Sequence, residues 1–264
     1  LRDDLTEKLT DRYNREARVY RDLWAPILRR AGLGLLRELA GARVQRVVDV
    51  GTGVGALLTD VATAFPGAFV LGVDRARSML ALAPAGIPRA AMDARHLAIC
   101  SGSVDLVLLA FMLFHLDKPG DGLCEARRII RHGGRVATLT WGGDLESKAT
   151  HIWAECLDAH GAAAADPATA TRHDSVDTPE KIETLLHAAG FNSPRAWVGD
   201  VVSPIDLEHL LRLKTSMGSS KPRFDSLDRQ TQKSCVAAAR RRMEGLTRED
   251  FIARGKIVCG VASA

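Results

Sequence analysis

The chain of 264 residues has no Cys-x-x-Cys pair; Cys100, Cys124, Cys156, Cys235 and Cys259 stand far apart, and eight histidines add no close Cys/His set. Neither a zinc site nor a disulfide framework is therefore expected. Such cysteine usage suits a reducing compartment, and a cytoplasmic location is the expectation. Apolar runs all fall short of the ~20 residues that cross a bilayer, so no membrane span is expected. The opening Leu-Arg-Asp-Asp-Leu-Thr-Glu-Lys is too charged for a signal peptide. Charge of one sign is also scarce: 36 Lys and Arg face 32 Asp and Glu, a net +4. The dense basic run, Arg240 to Arg242, reads as a solvated helix face, so nucleic acid is not an expected partner. No internal repeat or low-complexity linker divides the sequence.

What the chain does have is Val47-Val-Asp-Val-Gly-Thr-Gly-Val-Gly55, an apolar run that meets three glycines at alternate positions. It reads as a buried strand turning sharply into a helix, with glycines where a side chain would obstruct a ligand against the backbone. Two helices are expected before it, with Leu5, Leu9, Tyr13, Ala17 and Tyr20 on one face and Pro26 breaking the run after Trp24. After the strand at 46–50 come a helix at 54–64, a strand at 69–73 ending on Asp74, and a helical stretch with Met79. A weaker strand at 89–92 ends at Asp93, and a loop with a short helical turn covers 94–102. A strand at 104–110, apolar enough to be buried on both faces, a helix at 117–131 and a strand at 135–141 complete the regular part.

Strands alternating with helices predict a doubly wound α/β fold with a mostly parallel sheet. Beyond Trp141 the pattern loosens. Helices are expected at 144–161, after Thr178-Pro179-Glu180, at 205–216 and at 228–243, with a loop at 217–224 and strands at 195–202 and 256–262. The whole reads as one domain, 1–264. Residues 1–40 form a helical lid, 41–142 a ligand-binding core, 143–253 a cap with the sixth strand, and 254–264 a closing strand.

Two nucleotide-type ligands use such a glycine turn, and Gly51-Thr52-Gly53-Val54-Gly55-Ala56 satisfies a dinucleotide fingerprint as well. The carboxylates separate them. A pyrophosphate wants helix amides and no nearby anion, yet Asp49 lies two residues before the first glycine. Asp74 stands where a carboxylate can accept from both ribose hydroxyls, and Asp93 where an adenine amine can donate. Three carboxylates around one crevice suit a cationic ligand.

These residues resemble the class I S-adenosylmethionine-dependent methyltransferases, in the small-molecule branch similar to ubiquinone and menaquinone biosynthesis methyltransferases. Besides the glycine stretch, the resemblance rests on Gly72-Val-Asp-Arg-Ala-Arg-Ser-Met-Leu80, Met92-Asp-Ala-Arg-His-Leu97, Ser103-Val-Asp-Leu-Val107, Phe114-His-Leu-Asp-Lys-Pro119 and Glu125-Ala-Arg-Arg-Ile-Ile-Arg-His-Gly-Gly134. Tyr13-Asn-Arg-Glu-Ala-Arg-Val-Tyr20 resembles the family's lid helix. The resemblance implies a seven-stranded sheet with an antiparallel last strand and S-adenosyl-L-methionine as cofactor. It places Gly51 and Gly53 under the methionine portion, Asp74 on the ribose and Met79 against adenine. Asp93 and Ala94 would meet the adenine edge, Ala110 the amino group or methyl, and Tyr20 the carboxylate; Asp49, Thr52 and Arg75 complete the cofactor set.

An in-line methyl transfer needs an aligned nucleophile and exclusion of water, and no metal. A base helps when the acceptor is a hydroxyl or a protonated nitrogen, and His115, in the loop after the fourth strand, is the candidate. Phe111, Met112, Phe114 and Trp141 would line an aromatic mouth, with His151 and His173 in the cap. A small, flat or apolar acceptor is expected, methylated at carbon, oxygen or nitrogen. No Asn/Asp-Pro-Pro-aromatic run follows the fourth strand, where base-amine methyltransferases carry one. The alternative reading is a regulatory cofactor binder, or a cyclase, that transfers no methyl. Self-association into a homo-oligomer is left open.

Overall fold

A computed structural model describes residues 2–39, 41, 43–165 and 167–264, apart from the side chains of 2–5 and 168–170; Leu5 of the expected apolar face thus lies outside the described side chains. Helix α1 (Arg2–Val19) runs through a π-helical turn, Tyr20–Trp24, into α2 (Ala25–Leu39). Pro26 has no N–H to give to the carbonyl four residues back, and its ring crowds that turn. Rather than breaking, the chain widens, with the Ala25 N–H donating to the Tyr20 carbonyl five residues before it.

Strand β1 (Arg46–Val50) leads to α3 (Leu58–Ala64), β2 (Phe69–Asp74), α4 (Arg77–Leu80), β3 (Arg89–Ala91) and β4 (Val104–Ala110). Helix α5 (Pro119–Ile129) is followed by β5 (Ile130–Trp141). Next come α6 (Lys148–Ala159), α7 (Pro167–Asp174), α8 (Pro179–Ala188) and β6 (Asn192–Pro204). The chain closes with α9 (Leu207–Ser216), α10 (Ser220–Asp225), α11 (Arg229–Met243) and β7 (Ile252–Ser263). Side-chain caps start the helices where the sequence offers them: Thr178 accepts from the Lys181 N–H at α8, and Asp228 from Gln230 and Thr231 at α11.

The strands form one seven-stranded sheet in the order β3-β2-β1-β4-β5-β7-β6. The first five are parallel, and β7 inserts antiparallel between β5 and β6. Strand β4 sits near the centre, and Leu106, Val107, Leu108 and Leu109 are each 1% exposed or less. Each such side chain contributes about 1.5–3 kcal/mol of burial. A second apolar cluster, around Trp153, Leu210, Leu211, Phe224 and Cys235, joins α6, α9, α10 and α11 into a cap. No helix among the described residues is long and apolar enough to cross a membrane.

Four local expectations are corrected. Helix α3 starts at Leu58 rather than 54, because Gly51, Gly53 and Gly55 all have positive φ and hold the chain out of a right-handed helix until they are passed. The break expected between the helix at 117–131 and the strand at 135–141 is instead a bulge within β5, where pairing shifts from Val104–Ile130 to Leu106–Arg135. Residues 220–225, read as loop, form α10. The segment 94–102 has no helical turn and closes on itself through an Asp93–His96 bridge.

Candidate active site

The glycine turn is bare backbone packed from several sides. Gly51 (φ +75°), Gly53 (+56°) and Gly55 (+71°) take the left-handed conformation that glycine adopts without a Cβ penalty. The amides of Gly51 and Thr52 both donate to the Val73 carbonyl, at 2.8 and 3.0 Å, which ties the turn to the end of β2. A Cβ on Gly51 would lie 2.6 Å from Cβ of Met112. On Gly53 it would meet Met79 Cε at 3.3 Å and a ring carbon of Tyr20 at 3.9 Å.

Two carboxylates flank this turn without a basic partner among the described residues. Asp49 is 3% exposed and accepts from the Thr52 hydroxyl at 2.6 Å. Burial pushes its pKa up to about 6, with the nearby Asp74 charge adding to the rise. Asp74 accepts from the Gly53 N–H and the Ala76 N–H, both at 2.8 Å, and burial raises its pKa too. Each Asp74 oxygen has one backbone donor and retains further lone-pair capacity.

Asp93 differs from the expectation. Its carboxylate is held by the Arg95 backbone and guanidinium and lies 3.2 Å from Arg75 Nη1. The two cations cancel its charge, so the anionic character of the crevice comes from Asp49 and Asp74, and Arg75 is engaged with Asp93. Ala94, beside it, is buried.

The lid lies directly over the turn. Asn14 Oδ1 accepts from the Ser78 N–H at 2.9 Å, joining α1 to α4. Met79, 2% exposed, packs with Ala17, Ala25, Val54 and Ala76, and Tyr13 and Tyr20 pack against the same cluster. Their rings meet edge-on at 5.7 Å. Tyr13 also reaches across to the loop after β4, where its hydroxyl is 2.9 Å from Nε2 of His115.

That contact changes the reading of His115. One ring nitrogen is already bonded, and burial together with the positive charges of Arg12, His173 and Arg172 lowers its pKa to about 3. A base so far below neutrality has little drive to take a proton, since effective general bases titrate near the working pH. In this closed arrangement His115 acts as the partner of Tyr13.

The aromatic side chains expected to line the acceptor mouth pack together, and Trp24 joins them. Ala110 ends β4 half-buried, and Phe111 follows at φ +55°, a strained value for a non-glycine residue. Its ring is thereby set 4.6 Å from that of Trp141, which Trp24 approaches at 5.8 Å. His173 stacks on Phe114 at 4.2 Å. His151 does not join them: its side chain is 61% exposed and faces Glu146 at 3.7 Å. Ala149, Ile152, Trp153, Cys156 and Leu157 are the buried residues of α6, leaving His151 on the opposite face.

Tyr13, Asn14 and Trp24 had not been singled out as site residues. The spacing of Tyr13 and Tyr20 on one apolar face was the available signal.

The methyltransferase domain family (Methyltransf_11) matches residues 48–138, from β1 into β5. Residues 48–138 thus match a methyltransferase domain. The chain is 31% identical over 118 residues to the ubiquinone/menaquinone biosynthesis C-methyltransferase UbiE of Syntrophotalea carbinolica, covering 42% of this chain and 50% of the relative. It thus spans half the length of that relative. To the malonyl-[acyl-carrier protein] O-methyltransferase of Geobacter sulfurreducens it is 27% identical over 203 residues, 74% of each chain. In fold, the chain is similar to a structure from Thermotoga maritima described as a SAM-dependent methyltransferase and possible histamine N-methyltransferase. The TM-score is 0.55 and the identity 17%, over 96% of this chain and 99% of the other.

Proposed function

We propose that this chain transfers the methyl group of S-adenosylmethionine to a small molecule with an apolar body. The observation that carries the reading is Asp49, a buried carboxylate beside the glycine turn with no basic side chain paired to it among the described residues. Burying an uncompensated charge is costly, and a cationic ligand relieves that cost where a pyrophosphate would add to it.

The residues present fit this donor. Gly51 and Gly53 would lie under its methionine portion with Thr52 held back by Asp49. The lone pairs left on Asp74 suit a ribose diol, and Met79 with Ala94 would border the adenine. Tyr20, from the π-helical turn, would close over the same end, and Ala110 would border the amino group or methyl. When bound, the donor supplies a methyl carbon on a sulfonium, which is already a good leaving group.

The rest of the work falls to the chain's own groups. The lid helix and Tyr13 exclude water, while Phe111, Phe114, Trp24 and Trp141 orient an apolar acceptor. The UbiE and malonyl-[acyl-carrier protein] relatives are named for C- and O-methylation, which supports methyl transfer as the reaction.

Mass spectrometry of candidate metabolites incubated with isotopically labelled donor tests the reading. A labelled small-molecule product is the expected result. Binding of S-adenosylhomocysteine with no labelled product from any extract would favour a cofactor binder instead.

A further inference from the structure

The π-helical turn Tyr20–Trp24 carries two residues of the site at once. Tyr20, at its start, packs against Met79 and Val54, and its ring lies 3.9 Å from where a Cβ on Gly53 would stand. Trp24, at its end, approaches Trp141 at 5.8 Å. One short piece of backbone therefore sets how both the donor end and the acceptor end are covered.

That backbone has one donor fewer than a regular helix, because Pro26 brings no N–H to the ladder. The proline excludes the regular α-helical turn without selecting which way the widened one points. A donor arrives from outside: Nε2 of His209, on α9, is 3.0 Å from the Leu23 carbonyl oxygen, 186 residues away in sequence. A carbonyl only accepts, so this nitrogen carries the hydrogen. Among the described residues no other side chain from outside the turn hydrogen-bonds to it. Helix α9 is itself well fixed. Asp206 Oδ1 accepts from the His209 N–H at 2.8 Å, Leu210 and Leu211 are buried in the cap cluster, and Leu213 and Met217 in the main core.

Resting on the methyl-transfer reading above, we propose that His209 is a positioning residue, whose bond to the Leu23 carbonyl holds the π-helical turn where Tyr20 covers the donor and Trp24 faces the acceptor. A shift of one residue along a helix turns a side chain by ~100°. The two rings therefore keep their places together only while the turn is held. Seating a donor under Tyr20 and an acceptor against Trp24 favour the same state of the turn, and α9 of the cap is what defines that state.

The test compares the intact wild-type chain with His209→Leu, which removes the donor, and His209→Gln, whose amide N–H replaces it. In His209→Leu, S-adenosylhomocysteine should bind ~5-fold more weakly in calorimetry, the range for one net hydrogen bond. Amide exchange at 20–28 should quicken while that of β4 is unchanged. The fluorine resonance of Trp24 in 5-fluorotryptophan-labelled protein, assigned by its loss in Trp24→Phe, should move. His209→Gln should restore all three. In a Tyr20→Ala background, adding His209→Leu should weaken binding no further, since the histidine acts through Tyr20. Wild-type affinity or an unmoved Trp24 resonance in His209→Leu, no rescue by glutamine, or a full ~5-fold loss on top of Tyr20→Ala overturns the proposal. Failure of S-adenosylhomocysteine to bind the wild-type protein overturns the methyl-transfer reading instead.

Discussion

The hydroxyl of Tyr13 lies 2.9 Å from Nε2 of His115, 102 residues away in sequence. One hydrogen bond thus joins the lid helix α1 to the loop that leaves β4. Because α1 also packs on Met79 beside the glycine turn, a movement of α1 away from the sheet would expose that turn and His115 together.

Tyr13→Phe removes the hydroxyl and leaves the aromatic packing. Losing a neutral hydrogen bond worth about 1 kcal/mol should shift the lid toward opening by ~5-fold. Faster hydrogen exchange along α1 and faster release of S-adenosylhomocysteine in stopped flow are expected. Wild-type values for both would show that the bond does not hold the lid.

His115→Ala should speed the same release. Its single-turnover rate should fall by less than the ~10²-fold typical of losing a general base. A larger loss, with a pH profile that flattens, would restore the histidine to proton transfer.

Acid should act on Asp49 and His115 in opposite directions. The folded pKa of Asp49 is raised from 3.8 to about 6. The folded state therefore binds the extra proton between those values, and this group favours folding as pH falls through 6. His115 is lowered from 6.5 to about 3, so the unfolded state takes the proton first and stability is lost as pH falls below 6.5. Near pH 5 the two slopes oppose each other, at about 1.4 kcal/mol per pH unit each. Denaturant titrations at several pH values should show Asp49→Asn losing stability more steeply in acid than wild type, and His115→Asn less steeply. Parallel curves for all three proteins would contradict both assignments.

Gly51→Ala and Gly53→Ala both force a side chain into a left-handed backbone, at about 1–2 kcal/mol each. Only Gly51 adds a clash with a neighbouring Cβ, Met112 at 2.6 Å, whereas Gly53 meets the flexible tip of Met79 at 3.3 Å. Gly51→Ala should therefore be the more destabilising in chemical denaturation. Equal losses would show that Met112 moves aside freely.

The glycine turn and β4 were legible because each is dictated locally: three glycines beside a buried strand admit few conformations, and an unbroken apolar run must lie inside a sheet. Asp74 could be placed because it ends a strand adjacent to that turn. Asp93 could not be weighed without its neighbours, since pairing with Arg75 and Arg95 is settled by side-chain direction. The surroundings of His115 were hidden for the same reason: its hydrogen-bond partner comes from a helix 102 residues earlier. His151 could have been excluded from sequence, because Ala149, Ile152, Trp153 and Cys156 already define the buried face of its helix.

Calorimetric titration of S-adenosylmethionine into wild type and Asp74→Ala is the most direct measurement of whether the donor rests on this turn. Hydrogen bonds to a charged group are worth about 1.5–3 kcal/mol, so the variant should bind ~10- to 100-fold more weakly while its thermal unfolding stays cooperative. Unchanged affinity in a folded Asp74→Ala protein would contradict the assignment of the site.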